Sequence, residues 1–312
     1  MNNLEIWEKV TESSMIVNPH PRMKVAFDAF DKLRFESRRL RSLSKKEFNI
    51  SPALSCLGMF ASAGCGKTTI INAYMNKVDD EPKASDLRPV VRVNLSTNVT
   101  VKGFYQDVLI AFGDPNFSRG TQHQLEQRVY HFLNQCGVEL LIIDEVHHLI
   151  HSETKKVRWD VAELFKNMLN AKVCSIVLSG IEKAKCLLIE DTQLARRASP
   201  PVQLDALRPE FAEERNFFAA FLGKFDEELV RLKITKSKSG FLEGQLPGAF
   251  MQASGGVIGT VAKIIQYALD SSLRRGASSI ELCDLIRATD TWAVKLGLVS
   301  ENPFSELSEI SE

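Results

Sequence analysis

The sequence predicts an α/β protein in which helices flank a central parallel five-stranded sheet, followed by a small C-terminal helical domain. Three observations support this fold class. Apolar runs alternate with helical patterns between residues 53 and 207, which is the order that builds a parallel sheet with helical crossovers. A glycine-rich loop directly follows the first apolar run. From residue 209 onward the strand-like runs stop and only helical patterns follow.

The composition is that of an ordinary globular protein, with 44% apolar and 25% charged residues among 312. Because 39 basic residues balance 39 acidic ones, nucleic acid would have to bind at a local patch. No apolar run approaches the roughly 20 residues that span a bilayer, and the acidic start lacks the order of a signal peptide. Six scattered cysteines without a CxxC pair fit reduced thiols. We therefore expect a cytoplasmic protein with no membrane contact.

Four segments are expected along the chain. They are an N-terminal segment (1–52), the α/β domain (53–208), the helical domain (209–297) and an acidic mobile tail (298–312). The first segment contains an amphipathic helical pattern that begins at Met23. The basic stretch, which we define as residues 32–46, holds seven cations against Glu36 alone. Such a stretch is either a solvated helix face or a contact for the DNA backbone.

Individual elements follow from periodicity. Strands are expected at 54–60, 90–95, 138–143, 173–178 and 202–204. Helices of the α/β domain are expected at 67–77, 101–112, 121–136, 158–171 and 181–189. Helices of the C-terminal domain are expected at 211–222, 246–253, 258–272 and 280–296. Thr121 with Gln124, and Ser278 with Glu281, predict capping boxes at two helix starts.

The loop after the first predicted strand has the features of a phosphate-binding loop. Residues 61–69 read ASAGCGKTT, which matches the pattern GxxxxGK[ST] except that Ala61 replaces the first glycine. In such loops backbone N–H groups and the following helix N-terminus surround the phosphates. Lys67 is expected to reach the β- and γ-phosphates and Thr68 to bind Mg²⁺, which makes ATP and Mg²⁺ the expected cofactors. The expected cofactor-binding residues are Ala63, Gly64, Cys65, Gly66, Lys67, Thr68 and Thr69.

An acidic pair follows the most apolar predicted strand. Residues 138–145 read VELLIIDE, and a strand this apolar is buried on both faces, so that its carboxyl end points to the ligand crevice. Asp144 is expected to belong to the Mg²⁺ shell, and Glu145 to polarise the attacking water. The pair alone is weak evidence, and the phosphate-binding loop makes it strong.

Two further positions are candidates for the same chemistry. Ser179 ends the next predicted strand, where it either positions the water or forms a turn with Gly180. The segment 193–198 reads QLARRA. One of its arginines, Arg196 or Arg197, either enters a neighbouring subunit's nucleotide site or lies in solvent at a helix end.

A histidine cluster follows Glu145. His147 and His151 are four residues apart, with His148 between them, and histidines one helical turn apart can share zinc. We disfavour zinc because no nearby cysteine completes a site. The string of residues 144–147 also spells DExH, the pattern of a class of helicases.

The order of these motifs resembles that of AAA+ ATPases, and more closely that of the TniB/TnsC family of transposition regulators, over about residues 50–270. The strings IIDEVHHL and QLARR, the strand ending in Ser-Gly, and the glycine-rich stretch 255–259 carry the resemblance. It implies an AAA+ P-loop NTPase fold with a helical lid domain, and it favours Arg197 over Arg196 as the arginine finger. Two residues depart from the pattern: Ala61 in the loop, and Thr260 where many lids place an arginine.

The resemblance also implies a function. It implies an ATPase that assembles on double-stranded DNA as a homo-oligomer, either a ring or a helical filament, and the departure at Thr260 indicates slow hydrolysis. This assembly would link a TniQ-like target-selection protein to a DDE-type transposase, and ATP hydrolysis would drive its disassembly. Three alternatives stay open: another DNA-remodelling AAA+ protein such as a helicase loader or an origin-recognition-like initiator, a DExH helicase, and a nucleotide-gated adaptor without catalysis. A DExH helicase needs a second sheet, which residues 209–297 do not predict.

Overall fold

The computed structural model describes residues 1–18, 21–42, 53–150 and 155–309. The chain divides into two compact units. The sheet unit comprises Pro21–Ala63 and Lys67–Leu204, and the helical unit comprises Met1–His20, Gly64–Gly66 and Asp205–Glu312. The N-terminal segment expected at 1–52 is therefore shared between the two units. The domain boundaries at 52/53, 208/209 and 297/298 remain predictions.

The described residues of the sheet unit form the predicted five-stranded parallel sheet, with the strand order β2-β3-β4-β1-β5. The strands are β1 (Cys56–Phe60), β2 (Val90–Asn94), β3 (Leu140–Asp144), β4 (Ser175–Gly180) and β5 (Ala198–Ser199). Strand β4 pairs with β1 on one side and with β3 on the other. The ends of these three strands therefore lie side by side.

The fifth strand lies earlier than the 202–204 segment predicted for it. Ala198 pairs with Cys56, whose N–H donates to the Arg197 carbonyl at 3.0 Å. Val202 N–H still reaches the Gly58 carbonyl at 3.1 Å. The residues between them are Pro200 and Pro201, and proline has no N–H to donate to a sheet ladder. The prolines therefore end the strand before the apolar residues begin.

The helices of the sheet unit surround this sheet. They are α2 (Pro21–Ser42), α3 (Lys67–Asp79), α4 (Val101–Phe112), α5 (Gln122–Gln135), α6 (Lys155–Asn170), α7 (Cys186–Ile189) and α8 (Thr192–Ala195), with 3₁₀ turns at Val146–Ile150 and Glu182–Lys185. The capping box predicted from Thr121 and Gln124 is present. The single helix predicted at 181–189 is wrong, since a 3₁₀ turn and one short helix, α7, occupy that region.

Helix α2 contacts the rest of the sheet unit through two arginines of the basic stretch. The Arg34 side chain is 5% exposed, and its guanidinium donates to Glu81 at 2.8 and 2.9 Å and to Glu139 at 2.8 Å. Burial opposes the charge, but these carboxylates and Tyr74 raise the pKa of Arg34 above its usual value. Arg41 donates to backbone carbonyls of the neighbouring strand starts. The basic stretch is therefore partly structural, while its Lys45 and Lys46 lie outside the described residues.

We expect Arg34→Met to lower the free energy of unfolding by about 1.5–3 kcal/mol, because the substitution removes the hydrogen bonds that the buried guanidinium donates to Glu81 and Glu139. Arg39→Met is the matched control: it removes the same charge from an exposed position of the same helix, where about 0.5 kcal/mol or less is expected. Urea unfolding followed by circular dichroism measures both. Equal effects of the two substitutions would show that the Arg34 network does not stabilise the unit.

The helical unit contains α1 (Asn3–Ser14), α9 (Ala212–Arg231), α10 (Leu246–Ser254), α11 (Ile258–Arg275), α12 (Leu282–Ala288) and α13 (Ser305–Glu309), with a π-helical turn at Thr289–Val294. Helix α1 packs against α11, and Ile6 joins the apolar core of the unit. The capping box predicted from Ser278 and Glu281 is shifted. Glu281 is itself the N-cap and pairs with Asp284, because the helix begins one turn later than expected.

In the segment predicted as a mobile tail, 298–312, described residues pack against the rest of the helical unit. Phe304 is 0% exposed, and its ring lies 5.0 Å from that of Phe250. Asn302 donates to the Ile286 carbonyl at 2.9 Å. Burial of one aromatic ring outweighs the acidic character from which mobility was predicted. Residues 310–312 of this segment lie outside the described part of the chain.

All six cysteines lie in described parts of the chain, and none of them forms a disulfide. Burial raises the pKa of Cys56 and of Cys174 to about 12, so these two thiols stay protonated and unreactive. Among the described residues there is no helix long and apolar enough to cross a membrane.

Candidate nucleotide-binding site

The glycine-rich loop connects β1 to α3. Gly64 and Gly66 have φ angles of 81° and 89°, in the left-handed region that other residues avoid. Ala61, which replaces the first glycine of the pattern, is buried and does not have a positive φ. Its N–H donates to the Gly180 carbonyl at 3.2 Å. Alanine is therefore compatible with the conformation that the loop adopts at this position.

Lys67 is the first residue of α3 and is 7% exposed. Its ammonium donates to the carbonyls of Ala61 at 2.6 Å and Ser62 at 2.9 Å. Two carbonyls of the loop thus fix the position of the Lys67 ammonium. Thr68 and Thr69 follow and are exposed, so their hydroxyls are available to a ligand at the helix N-terminus.

Asp144, the last residue of β3, is 1% exposed and accepts three hydrogen bonds from its own chain. Its Oδ1 accepts hydrogen bonds from Ser179 Oγ at 2.8 Å and from the backbone N–H of Glu145 at 3.1 Å. Its Oδ2 accepts one from Arg92 Nη2 at 2.7 Å. Ser179, a candidate for positioning water, is fully buried in β4 and instead orients the Asp144 carboxylate.

The sequence interpretation missed Arg92. This residue lies in the middle of β2, and its Nη1 also donates to Asn72 of α3 at 2.5 Å. A signal was present in the sequence, because a lone cation interrupts the otherwise apolar run VVRV. β2 is an edge strand of the sheet, and its neighbour β3 ends in Asp144, whose carboxylate compensates the charge of a partly buried cation.

Glu145 directly follows β3 with a left-handed φ of 56°, and its side chain is 36% exposed. Its Oε2 lies 3.1 Å from Nδ1 of His147. Burial and the neighbouring His148 lower the pKa of His147, so that the ring is neutral at pH 7. The charges of Lys67, Asp144 and Glu145 all act on this ring.

Two of the three histidines that follow Glu145 lie in the described part of the chain. Ligand atoms of Glu145, His147 and His148 lie within 4.8 Å of one another, whereas His151 lies outside the described residues. Two imidazoles and a carboxylate are ligand types that zinc accepts. The trio uses Glu145, the residue expected to polarise water, so a metal bound there would compete with that role.

The two candidate arginines differ in their surroundings. Arg196 is exposed. Arg197 is half-buried, and its Nη1 donates to the Lys166 carbonyl at 3.1 Å. One hydrogen bond to a carbonyl is worth about 1 kcal/mol, so Arg197 can leave this position when a stronger partner is present.

The glycine-rich stretch 255–259 lies in the helical unit. Leu207 N–H donates to the Gly256 carbonyl at 2.9 Å, and a Cβ at Gly256 would lie 1.9 Å from the Leu207 carbonyl oxygen. Only glycine permits this close approach. Within the same unit Gly259 N–H donates to the Gly64 carbonyl at 2.9 Å. Thr260 and the exposed Lys263 follow in α11.

Comparison with protein families gives a match to the family described as bacterial TniB protein, over residues 30–207. That match covers more than half of the chain and includes the loop, the acidic pair and the segment that contains Arg196 and Arg197. Comparison with curated proteins gives no match.

Solved structures share the fold at low sequence identity. Cdc6p from Pyrobaculum aerophilum is 13% identical with a TM-score of 0.59, over 88% of this chain and 68% of that one. The Aeropyrum pernix ORC2 protein, in ADPNP–ADP complexes, is 13% identical with a TM-score of 0.60, over 89% and 70%. The A. pernix ORC1 protein in complex with DNA is 12% identical with a TM-score of 0.54, over 82% and 64%. The predicted AAA+ P-loop fold is thereby confirmed.

Proposed function

This chain belongs to the bacterial TniB family, and from that membership we propose that it is an ATP-dependent regulator of DNA transposition. In this proposal the protein binds ATP, assembles as a homo-oligomer on double-stranded target DNA, and links a TniQ-like target-selection protein to a DDE-type transposase. Slow ATP hydrolysis then drives disassembly. The nucleotide site is the part of the proposal that the geometry supports most directly.

The observation that carries the nucleotide site is the position of Lys67 after β1 and of Asp144 at the end of β3, the two strands that flank β4, whose Ser179 donates to Asp144 at 2.8 Å. A glycine loop with positive φ angles, a lysine at a helix N-terminus and a buried carboxylate are the parts that phosphoryl transfer requires. The proposed cofactor-binding residues are Ala63, Gly64, Cys65, Gly66, Lys67, Thr68 and Thr69.

The donor set also fits the proposed metal. The Thr68 hydroxyl and the Asp144 carboxylate offer hard oxygen ligands of the kind that Mg²⁺ prefers. When bound with ATP, Mg²⁺ would neutralise charge on the phosphates. Lys67 exchanges one loop carbonyl for a phosphate oxygen, Glu145 orients water, and Ser179 holds Asp144 in place.

DNA binding is proposed from family membership and from cations that stay exposed. Lys32 and Arg39 of α2 are exposed, and so are Lys102 and Arg119 in the sheet unit. Arg34 is withdrawn from the candidates because it is buried in ion pairs. The A. pernix ORC1 structure, which was solved with DNA, supports DNA contact by proteins of this fold.

The test is the size of the purified protein with and without duplex DNA, in a non-hydrolysable ATP analogue and in ADP. We expect large particles only when DNA and the triphosphate are both present. A protein that stays monomeric in all four conditions would contradict the assembly proposal.

Arg197 is proposed as the arginine that completes the neighbouring subunit's site. We expect Arg197→Ala to lower ATP turnover of the DNA-bound assembly about 10³-fold, because a trans arginine stabilises charge in the transition state. Arg196→Ala is the adjacent control and should change turnover less than tenfold. Turnover measured by phosphate release decides between them, and the reverse pattern would assign the role to Arg196.

A second candidate is a helicase loader or an origin-recognition-like initiator, which the similarity to Cdc6p and to ORC2 favours. Such a protein would have the same nucleotide residues. Capture of purified partners separates the two functions: the transposition regulator retains a DDE-type transposase, and the loader retains a replicative helicase.

A further inference from the structure

Arg92 is a partly buried arginine in β2, an edge strand of the sheet. Its guanidinium bridges two elements of the candidate site, because it contacts Asp144 at the end of β3 and Asn72 in α3. Its Nε atom is buried and has no hydrogen-bond partner among the described residues. An unpaired buried donor is destabilising, and in native proteins such a donor points to a functional constraint.

The contacts of Asp144 define what Arg92 controls. A carboxylate offers about four acceptor positions. Ser179 and the Glu145 backbone use two on Oδ1, and Arg92 uses one on Oδ2. The remaining position is on the oxygen that Arg92 already holds. Any cation that Asp144 helps to bind therefore meets the positive charge of Arg92 at the same oxygen atom.

We propose that Arg92 is a positioning residue that sets the Mg²⁺ concentration at which the site binds nucleotide. This inference rests on the proposed nucleotide-binding function and deepens it. Arg92 acts in two ways at once. Its hydrogen bonds fix the orientation of Asp144 relative to α3, and its charge lowers the affinity of that carboxylate for a dication by electrostatic repulsion. The site then holds the metal firmly only when phosphates add their own negative charge.

The consequence is that tight binding at the site requires both Mg²⁺ and nucleotide. A buried aspartate without a counter-charge would attract divalent cations by itself. With Arg92 in contact, Asp144 is already neutralised in the absence of nucleotide. Mg²⁺ and nucleotide therefore bind together, and metal alone binds weakly.

The experiment measures binding of a fluorescent ADP analogue (mant-ADP) to the full chain at pH 8 while Mg²⁺ is titrated. We expect Arg92→Gln, which keeps hydrogen-bonding capacity and removes the charge, to lower the half-saturating Mg²⁺ concentration about tenfold. Arg92→Lys keeps the charge and should stay within threefold of the wild type. Arg88→Gln is the distant control: it removes the same charge from an exposed position before β2 and should change nothing.

Each outcome has a defined meaning. An unchanged Mg²⁺ requirement in folded Arg92→Gln would overturn the inference and leave Arg92 a structural residue. If that variant does not fold, Arg92→Met keeps the apolar packing of the side-chain stem and is measured instead. Failure of the wild type to bind mant-ADP at any Mg²⁺ concentration would contradict the proposed function itself, which distinguishes the two failures.

Discussion

Lys67→Ala should lower the affinity for ATP at least about 100-fold and abolish ATP-dependent assembly on DNA. Lys67 donates two hydrogen bonds, to the carbonyls of Ala61 and Ser62, so its ammonium is already aimed across the loop. Charge-assisted hydrogen bonds are worth about 1.5–3 kcal/mol each, and losing about 3 kcal/mol corresponds to roughly two orders of magnitude in affinity. Isothermal titration with a non-hydrolysable ATP analogue measures the change.

The matched control for this variant is Asn76→Ala, an exposed position on the same helix, α3. It should bind the analogue like the wild type. Circular dichroism of both variants checks that the fold is intact, which is needed because Lys67 also ties the loop together. ATP binding by Lys67→Ala at wild-type affinity would mean that the loop is a glycine-rich turn without a nucleotide role.

Glu145→Gln should lower ATP turnover by about 10²–10⁴-fold, while nucleotide binding and assembly on DNA are preserved. A positioned general base contributes about that factor, and glutamine keeps the shape of the side chain but cannot accept a proton. His147, which is neutral because burial and His148 lower its pKa, leaves the carboxylate of Glu145 free to act. Phosphate release measures turnover, and particle sizing measures assembly.

Glu213→Gln provides the comparison for this second variant. It makes the same charge change at an exposed residue in the first turn of α9, and it should retain full turnover. A Glu145→Gln protein that hydrolyses ATP at the wild-type rate would remove Glu145 from the chemistry. In that case cobalt absorption would test the Glu145, His147 and His148 trio as a metal site.

The fold was largely predictable because its signals are local. Apolar runs of strand length and the glycine loop predicted four of the five strands to within two residues at each end. The fifth strand failed where local patterns conflict: the apolar residues after Pro201 suggested a strand, but Pro200 and Pro201 cannot continue the ladder. A related conflict affects the segment 298–312, where acidic residues predict mobility but the buried ring of Phe304 packs against the helical unit.

The candidate site was predictable in its residue types and not in its contacts. Motif spacing predicted Lys67, Asp144 and Glu145 as site residues, because each lies at or after the carboxyl end of a strand and a parallel sheet brings these ends to one edge. Arg92 and the hydrogen bond from Ser179 to Asp144 depend on which strands are neighbours. The sheet order places β4 between β1 and β3, and periodicity along one strand carries no information about that order.

The helical unit is discontinuous in sequence, which has a consequence for biosynthesis. Helix α1 is synthesised before the sheet unit, but its packing partner α11 begins roughly 250 residues later. Protein synthesis proceeds at about 5–20 residues per second. The apolar side of α1, with Ile6 and Val10, therefore lacks its native neighbours for roughly 10–50 seconds. Such long-range contacts slow folding and expose nascent chains to aggregation. We expect the sheet unit to fold during synthesis, and the helical unit to complete only after α11 and the Phe304 segment have emerged.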